Sequence, residues 1–204
     1  MKIAAIMLAC YLAGAIPFGL IVGLLKGIDI RKHGSGNIGA TNVLRLLGPG
    51  PAAIVFIGDT LKGLFAVLLC KATLDPAALV VAGGLAGVLG HNFSIFLRFK
   101  GGKGVATSLG VAFGIDPVIA AITFGVWLVF VGIFRYISVA SIIAALTVPA
   151  QMWFSEPLFG RRAPREYLAF AIVACAFIVV KHRSNIARLL AGNEPKVGQK
   201  AKIG

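Results

Sequence analysis

Six stretches of the chain are apolar for long enough, or nearly long enough, to cross a bilayer: residues 3–25, 51–71, 77–97, 117–134, 137–153 and 166–180. A spanning helix needs about 20 apolar residues. Inside hydrocarbon every backbone polar group must be satisfied within the protein, which leaves helices as the structure open to such segments. Charged residues are 13% of the sequence, against roughly 25% in a soluble domain. Mean hydropathy is +0.93. No polar stretch between the runs has the length of a soluble domain, so residues 1–204 read as one integral-membrane domain, an all-α polytopic helix bundle. Residues 1–25 are long enough to cross by themselves and further spans follow. They are therefore read as a span and not as a signal peptide.

A seventh apolar segment, GVATSLGVAFGI at residues 104–115, is too short for an ordinary span. Its length suits a half helix, a re-entrant helix or a short crossing. Short, glycine-interrupted segments mark places where irregular backbone lines a cavity. Counted as a crossing, it brings the total to seven. One side then carries residues 26–50, 98–103, Arg135 and 181–204, which hold most of the twenty Lys and Arg. The positive-inside rule puts that side in the cytoplasm and the N-terminus outside. Arg161, Arg162 and Arg165 on the opposite side run against the rule.

The net charge of +13 would suggest nucleic acid on a soluble protein. Here the cations cluster between apolar runs, which fits anionic lipid headgroups and no nucleic-acid partner. Cys10, Cys70 and Cys175 each lie within apolar runs without metal-ligand spacing. They read as buried thiols, and no metal or cofactor is expected.

Three polar segments fall on the basic side. The first, RKHGSGNIGATNVLR at 31–45, contains Gly34, Gly36 and Gly39 in a GxGxxG pattern. No strand precedes it, so the dinucleotide-binding reading fails. What remains is small residues plus hydrogen-bonding Ser35, Asn37, Thr41 and Asn42, with the guanidinium fork of Arg45 suited to a phosphate. The bland alternative is a solvated turn with a helix cap at Ser35 or Asn37. The second, GHNFSIFLRFKGGKGVATSLG at 90–110, is not a Walker A loop. Yet Gly101, Gly102 and Gly104 would let backbone N–H groups face an anion, Lys103 adds a charge, and a helix N-terminus follows with Thr107 and Ser108 in its first turn. Lys100 and Lys103 could equally be ordinary positive flanks. His91, alone near the end of an apolar helix, reads as a packing residue. The third, KHRSNIARLLAGNEP at 181–195, places His182 and Asn185 on one helix face, with Arg188 a further step along. Glu194 is the only acid there, and a salt bridge back to a basic loop is its expected role.

Within the membrane, Asp59 and Lys62 at i, i+3 can pair. Their distance from the loops in sequence favours a structural bond. Ser138 and Ser141 near the inner end of the sixth span could face the same pocket as the loops.

Together, SGNIGATNVLR, GHNFSIFLRFKGGKGVAT and KHRSNIARLLAGNE resemble the three motifs of the bacterial acyl-phosphate:glycerol-3-phosphate acyltransferase family. The resemblance covers nearly the whole chain, and DTLKG at 59–63 is similar to that family's second helix. It implies a seven-helix inner-membrane enzyme. Such an enzyme moves a fatty acyl group from acyl phosphate to the 1-hydroxyl of glycerol 3-phosphate, giving lysophosphatidic acid and phosphate for phospholipid synthesis. An acyl-phosphate-producing enzyme would be its functional partner. Carried over by motif, Ser35, Arg45, His182 and Asn185 are catalytic or substrate-binding. Gly36, Asn37, Gly39, Thr41, Asn42, the Gly101–Gly104 loop with Lys103, Thr107 and Ser141 bind substrate or phosphate. Glu194, Asp59, Lys62 and His91 give structural support. The tail beyond Glu194 and the loop at 154–165 read as peripheral.

The residue chemistry agrees with this. Acyl phosphate is already activated, so the protein must orient a hydroxyl and stabilise developing charge. No histidine is followed by an aspartate five positions on, so a His-x₄-Asp pair is not the base. Either His182 or the phosphate of glycerol 3-phosphate would take the proton. The alternatives are a small transporter for anions or phosphate esters, which also uses half helices, and a non-catalytic lipid-binding protein.

Overall fold

The computed structural model describes residues 1–74, 76–160 and 162–201. Arg161, one of the cations counted against the positive-inside rule, lies outside the described residues. Those residues are helical, with no strand among them. The helices are α1 (Lys2–Ala15), α2 (Phe18–Leu25), α3 (Ala40–Leu47), α4 (Pro49–Thr73), α5 (Ala77–Asn92), α6 (Val105–Ile115), α7 (Pro117–Phe134), α8 (Ile137–Trp153), α9 (Ser155–Phe159), α10 (Arg165–Lys181) and α11 (Arg183–Leu190). Four stretches are long and apolar enough to span by themselves: Lys2–Leu25, Pro49–Thr73, Ala77–Leu97 and Pro117–Phe134. α10 joins α11 across a 52° bend, and α6 and α8 are shorter apolar helices.

The first span is broken between α1 and α2. Pro17 lacks the N–H that would continue the ladder. The carbonyls this frees are satisfied from other helices, as burial away from water demands. Ser94 Oγ donates to Ala15 O at 2.6 Å, and Lys62 Nζ donates to Ile16 O at 2.9 Å.

Helix contacts are set by small residues that let backbones approach. Gly14 of α1 lies against the Gly87 backbone of α5, and Gly90 lies against Tyr11 and Ala15. On α4, Gly63 rests on the Thr107 carbonyl of α6, and Gly110 of α6 rests on the Thr60 carbonyl. A Cβ at any of these positions would land on backbone. Cys10 and Cys70, which carry no joint signal in the sequence, face each other with Sγ atoms 3.8 Å apart.

The α4–α6 contact sets a depth. Thr107 and Gly110 lie beside residues 60–63, the middle of α4. Further along, Gly114 lies beside Val67, and Lys71 Nζ reaches Gly114 O at 2.7 Å. The two helices therefore run parallel, with α6 beside only the second half of α4. Its 11 residues cover about 16 Å, roughly half the hydrocarbon thickness of about 30 Å. The glycine loop ahead of α6 is carried inward to the middle of α4, as a half helix requires. Gly104 caps it with φ of 81°, a left-handed conformation that glycine adopts without strain.

The C-terminal segment is not peripheral, contrary to its polar, featureless sequence. Val197 N donates to Arg135 O at 2.7 Å, Arg135 returns a bond to Val197 O, and Ala201 N donates to Arg45 O at 3.1 Å. Residues 194–201 thus strap α3 to the turn between α7 and α8.

Gly110→Ala should cost about 1–3 kcal/mol, because its Cβ drives α6 off α4. Gly125→Ala, on a face of α7 with open space at the Cβ position, should be neutral or slightly stabilising. Thermal unfolding of the two purified variants checks this. Equal midpoints would show that close α4–α6 approach does not hold the bundle.

Candidate active site

Every polar segment on the basic side sends residues to one pocket between α3, α4, α6, α7, α8, α10 and α11. It contains about 1290 Å³ of empty space, counting the part open to the surroundings. Its lining runs from the polar loop residues along apolar faces of α6, α8 and α10, which suits an elongated ligand. One end is polar and the other apolar.

Glu194 organises the polar end. Its Oε1 accepts from Asn185 Nδ2 at 2.6 Å and from Ser138 Oγ at 2.8 Å. Its Oε2 accepts from Arg188 Nε at 2.8 Å. Arg45 lies 4.0 Å from Oε1 and also donates to Pro195 O. Lys103 Nζ donates to Asn185 Oδ1, which fixes the amide: oxygen toward the lysine, nitrogen toward the carboxylate. Lys103 and Glu194 are thereby joined through Asn185. Burial by itself would raise the Glu194 carboxyl. The bonds from Asn185, Ser138 and Arg188 outweigh it and hold the group below the ordinary glutamate range.

The cations here are poorly solvated. Burial lowers Lys103 to about 8, with Glu194 opposing the shift and Arg188 and Arg45 adding to it. Burial also lowers Arg45, against the pull of Glu194. His182 sits just past the end of α10 and is 3% exposed. Burial, then the neighbouring Lys103 charge, lowers it to about 4. Its Nδ1 lies 2.8 Å from Ile178 O. A carbonyl only accepts, so Nδ1 carries the hydrogen and Nε2 is left as an acceptor.

The segment around Ser35 is folded by its own side chains. Asn42 Oδ1 accepts from Ser35 N at 3.0 Å, and Asn42 Nδ2 donates to Ile30 O and His33 O. Asn37 Oδ1 accepts from Gly39 N at 2.9 Å. The cap at Ser35 or Asn37 that the bland alternative required is not made. Gly39 is the N-cap of α3, without a side-chain bond. Asn37 forms a turn with its own backbone instead. Ser35, Asn37, Gly39, Thr41, Asn42 and Arg45 all line the pocket.

Four expected ligand-binding residues lie off the wall. Gly36 N donates to His33 O at 3.1 Å, and Gly36 does not line the pocket. Thr107 is fully buried, its backbone under Gly63 of α4. Gly101 and Gly102 pack on α5, where Gly102 N donates to His91 O at 3.0 Å and a Cβ on Gly102 would strike the His91 ring. Their smallness serves that contact and leaves Lys103 and Gly104 to face the cavity. His91 and Asp59, by contrast, line it. Asp59 pairs with Lys62 at 2.7 Å and lies 3.5 Å from His91 Nδ1. The sequence separation of Asp59 from the loops had argued against any such proximity, which folding creates.

Ser141 accepts from Trp127 Nε1 at 3.1 Å and donates to Ile137 O. Trp127 stacks on Phe124, and Phe124 on Phe56, with centroids 5.9 and 6.0 Å apart. These rings form a side wall reaching from α4 to α7, and sequence reasoning missed them. Their i, i+3 spacing on α7 was visible, but α7 is apolar all round. Among the described residues no three His, Cys, Asp or Glu converge as a metal site.

A family model described as "Glycerol-3-phosphate acyltransferase" matches residues 4–192. The chain belongs to that family. A glycerol-3-phosphate acyltransferase of Synechococcus elongatus is 44% identical, over 98% of this chain and 97% of its own. One from Desulforamulus reducens is 45% identical, over 96% and 95%. Two crystal structures of PlsY (YgiH), an integral membrane glycerol 3-phosphate acyltransferase, are each 41% identical. Its glycerol 3-phosphate form matches with a TM-score of 0.89, over 97% of this chain and 96% of that one. Its lysophosphatidic acid form matches at 0.85, over 98% and 97%. The family match ends two residues before Glu194.

Glu194→Ala should strand several buried donors at once and cost about 3 kcal/mol. Glu194→Gln keeps an acceptor and should cost less. Thermal midpoints of the two purified variants give the ranking, and no loss in Glu194→Ala would remove Glu194 as the organiser.

Proposed function

We propose that this chain transfers a fatty acyl group from acyl phosphate to the 1-hydroxyl of glycerol 3-phosphate, releasing lysophosphatidic acid and inorganic phosphate. One observation carries the reading. A single pocket joins the Lys103–Asn185–Glu194 cluster to an apolar arm, so phosphates and an alkyl chain have adjoining places. The family supports it, as do the PlsY structures in glycerol 3-phosphate and lysophosphatidic acid forms. A transporter would need a route through the bundle, whereas the apolar arm runs into packed core at Phe170.

In the reaction the 1-hydroxyl oxygen attacks the acyl carbonyl, the carbon–oxygen bond to phosphate breaks, and phosphate leaves with the bonding pair. Arg45 and Lys103 bind phosphate and stabilise the charge that gathers on the leaving group. Ser35, Thr41 and Asn185 orient the glycerol oxygens, and Gly104 allows close approach of backbone. A histidine at about 4 is neutral at pH 7 but a weak base. A phosphate monoester dianion, titrating near about 6, accepts a proton more readily. The hydroxyl proton therefore passes to the phosphate of glycerol 3-phosphate, and His182 Nε2 positions the hydroxyl. Asp59 and His91 hold the wall behind the glycine loop, with Lys62 paired to Asp59.

The reading carries a membrane arrangement. The chain makes seven crossings with α6 as the short one, and the N-terminus faces outward. The pocket opens to the cytoplasm from the bacterial inner membrane, where an acyl-phosphate-producing enzyme supplies the donor. Cysteine labels at positions 35, 103 and 182 should react only from the inner face. Labelling of position 103 from outside would overturn the seven-crossing topology.

With purified protein and glycerol 3-phosphate, acyl phosphate should give lysophosphatidic acid and phosphate in equal amounts. Comparable kcat/KM with acyl-CoA would overturn the donor assignment.

The pH profile tests the proton. kcat/KM should rise through about 6 as the phosphate becomes dianionic, and fall through about 8 as Lys103, whose pKa is lowered to about 8, loses its charge. Lys103→Arg should abolish the alkaline fall. His182→Gln should lower kcat about ten-fold, a typical share for one positioning or acid–base group, and keep the acid limb. Loss of that limb in His182→Gln would make His182 the base.

A further inference from the structure

The apolar arm of the pocket runs toward the buried core. Along α10 the wall passes from His182 through Ile178, Ala174 and Ala171 to Phe170. Along α8 it passes from Ser138 to Val148. Phe170 is 4% exposed and packs with Met152, Ile115 and Ile119 in the main apolar core. Those three residues line a separate small cavity on the far side, with Tyr167. Phe170 and Val148 therefore stand as a partition between two spaces.

The wall above them includes Ala112, Ala144, Ala145, Ala171 and Ala174, each at most 7% exposed. These short side chains from three helices leave room for a hydrocarbon chain, and Thr123, which also lines the pocket, has its hydroxyl engaged by Gln151 at 3.2 Å. Toward the polar end the lining residues Leu109, Phe124 and Trp127 are partly exposed, whereas at the far end Phe170 is buried with Val148 partly buried beside it.

We infer that this arm is a blind-ended ruler in which Phe170, backed by Val148, stops the far end of the donor's acyl chain and sets its length. The inference rests on the acyl-transfer reading above. It places the reacting carbonyl beside Lys103 and His182 and the terminal methyl against Phe170. His182 and Phe170 are twelve residues apart on one helix path, about 18 Å at ~1.5 Å per residue. With C–C bonds of about 1.5 Å, an extended chain advances about 1.3 Å per carbon, so that distance takes about 14 steps. Those ~14 steps join about 15 carbons, the carbonyl carbon and the terminal methyl included.

The test is a panel of saturated acyl phosphates of 10 to 20 carbons, with glycerol 3-phosphate, on the full chain and two variants. The readout is the ratio of kcat/KM between donors, which does not depend on the fraction of protein folded. The parent should peak at about 14–16 carbons and fall at least ten-fold at 20. Phe170→Ala, which removes the stop, should move the peak two to four carbons longer. Ala174→Leu, one turn nearer the mouth, should move it about four carbons shorter. A flat parent profile overturns the ruler while leaving the acyltransferase reading intact. So does a peak that neither variant moves. Absence of transfer from every acyl phosphate overturns the acyl-transfer reading, and the ruler with it.

Discussion

The approach of α6 to α4 at backbone distance is the constraint on which the site depends. Gly63 over Thr107 and Gly110 over Thr60 pin an 11-residue helix beside the second half of a 25-residue one. The half helix therefore begins inside the bundle, and the loop before it must reach that depth. Lys103 is delivered to Asn185 by this geometry. The glycines ahead of it are spent on clearing the His91 ring. A loop tethered only by its own sequence would lie at the surface, where a lysine keeps its hydration and holds an anion weakly.

A second economy is electrostatic. Lys103, Arg45 and Arg188 converge on Glu194, the one carboxylate near them among the described residues. Their mutual repulsion is eased without being cancelled. Desolvated cations with an incomplete counter-charge favour an arriving phosphate more than solvated ones would, because in a medium of low dielectric the attraction is stronger. The same crowding leaves His182 neutral. The site thus favours anion binding over side-chain proton chemistry.

The polar residues were legible in the sequence because each interrupts an apolar run. Ser35, Arg45, Lys103, His182 and Asn185 stand out against that background, and the structure gathers them in one pocket. The short length of residues 104–115 announced a half helix, a re-entrant helix or a short crossing. What could not be read was direction. In a bilayer the lipid-facing and protein-facing sides of a helix are equally apolar, so nothing marks Phe124, Trp127 or Phe170 as pocket residues among their neighbours. Nor did spacing tell that Gly102 serves His91, that His91 meets Asp59 from another helix, or that residues 194–201 return to Arg45 and Arg135. Each of these depends on which helices are neighbours, which is a property of the assembled bundle.

The half-length of α6 also leaves a window. Alongside the first half of α4 there is no α6, and the stacked rings of Phe56, Phe124 and Trp127 reach from α4 to α7 instead. On the acyl-transfer reading, a single-chain lipid made beside these rings would pass between them into the leaflet that borders the polar loops, without crossing the bilayer midplane. Synthesis would then enlarge one sheet of the membrane and not the other, and a separate process that turns lipids over would have to relieve the imbalance.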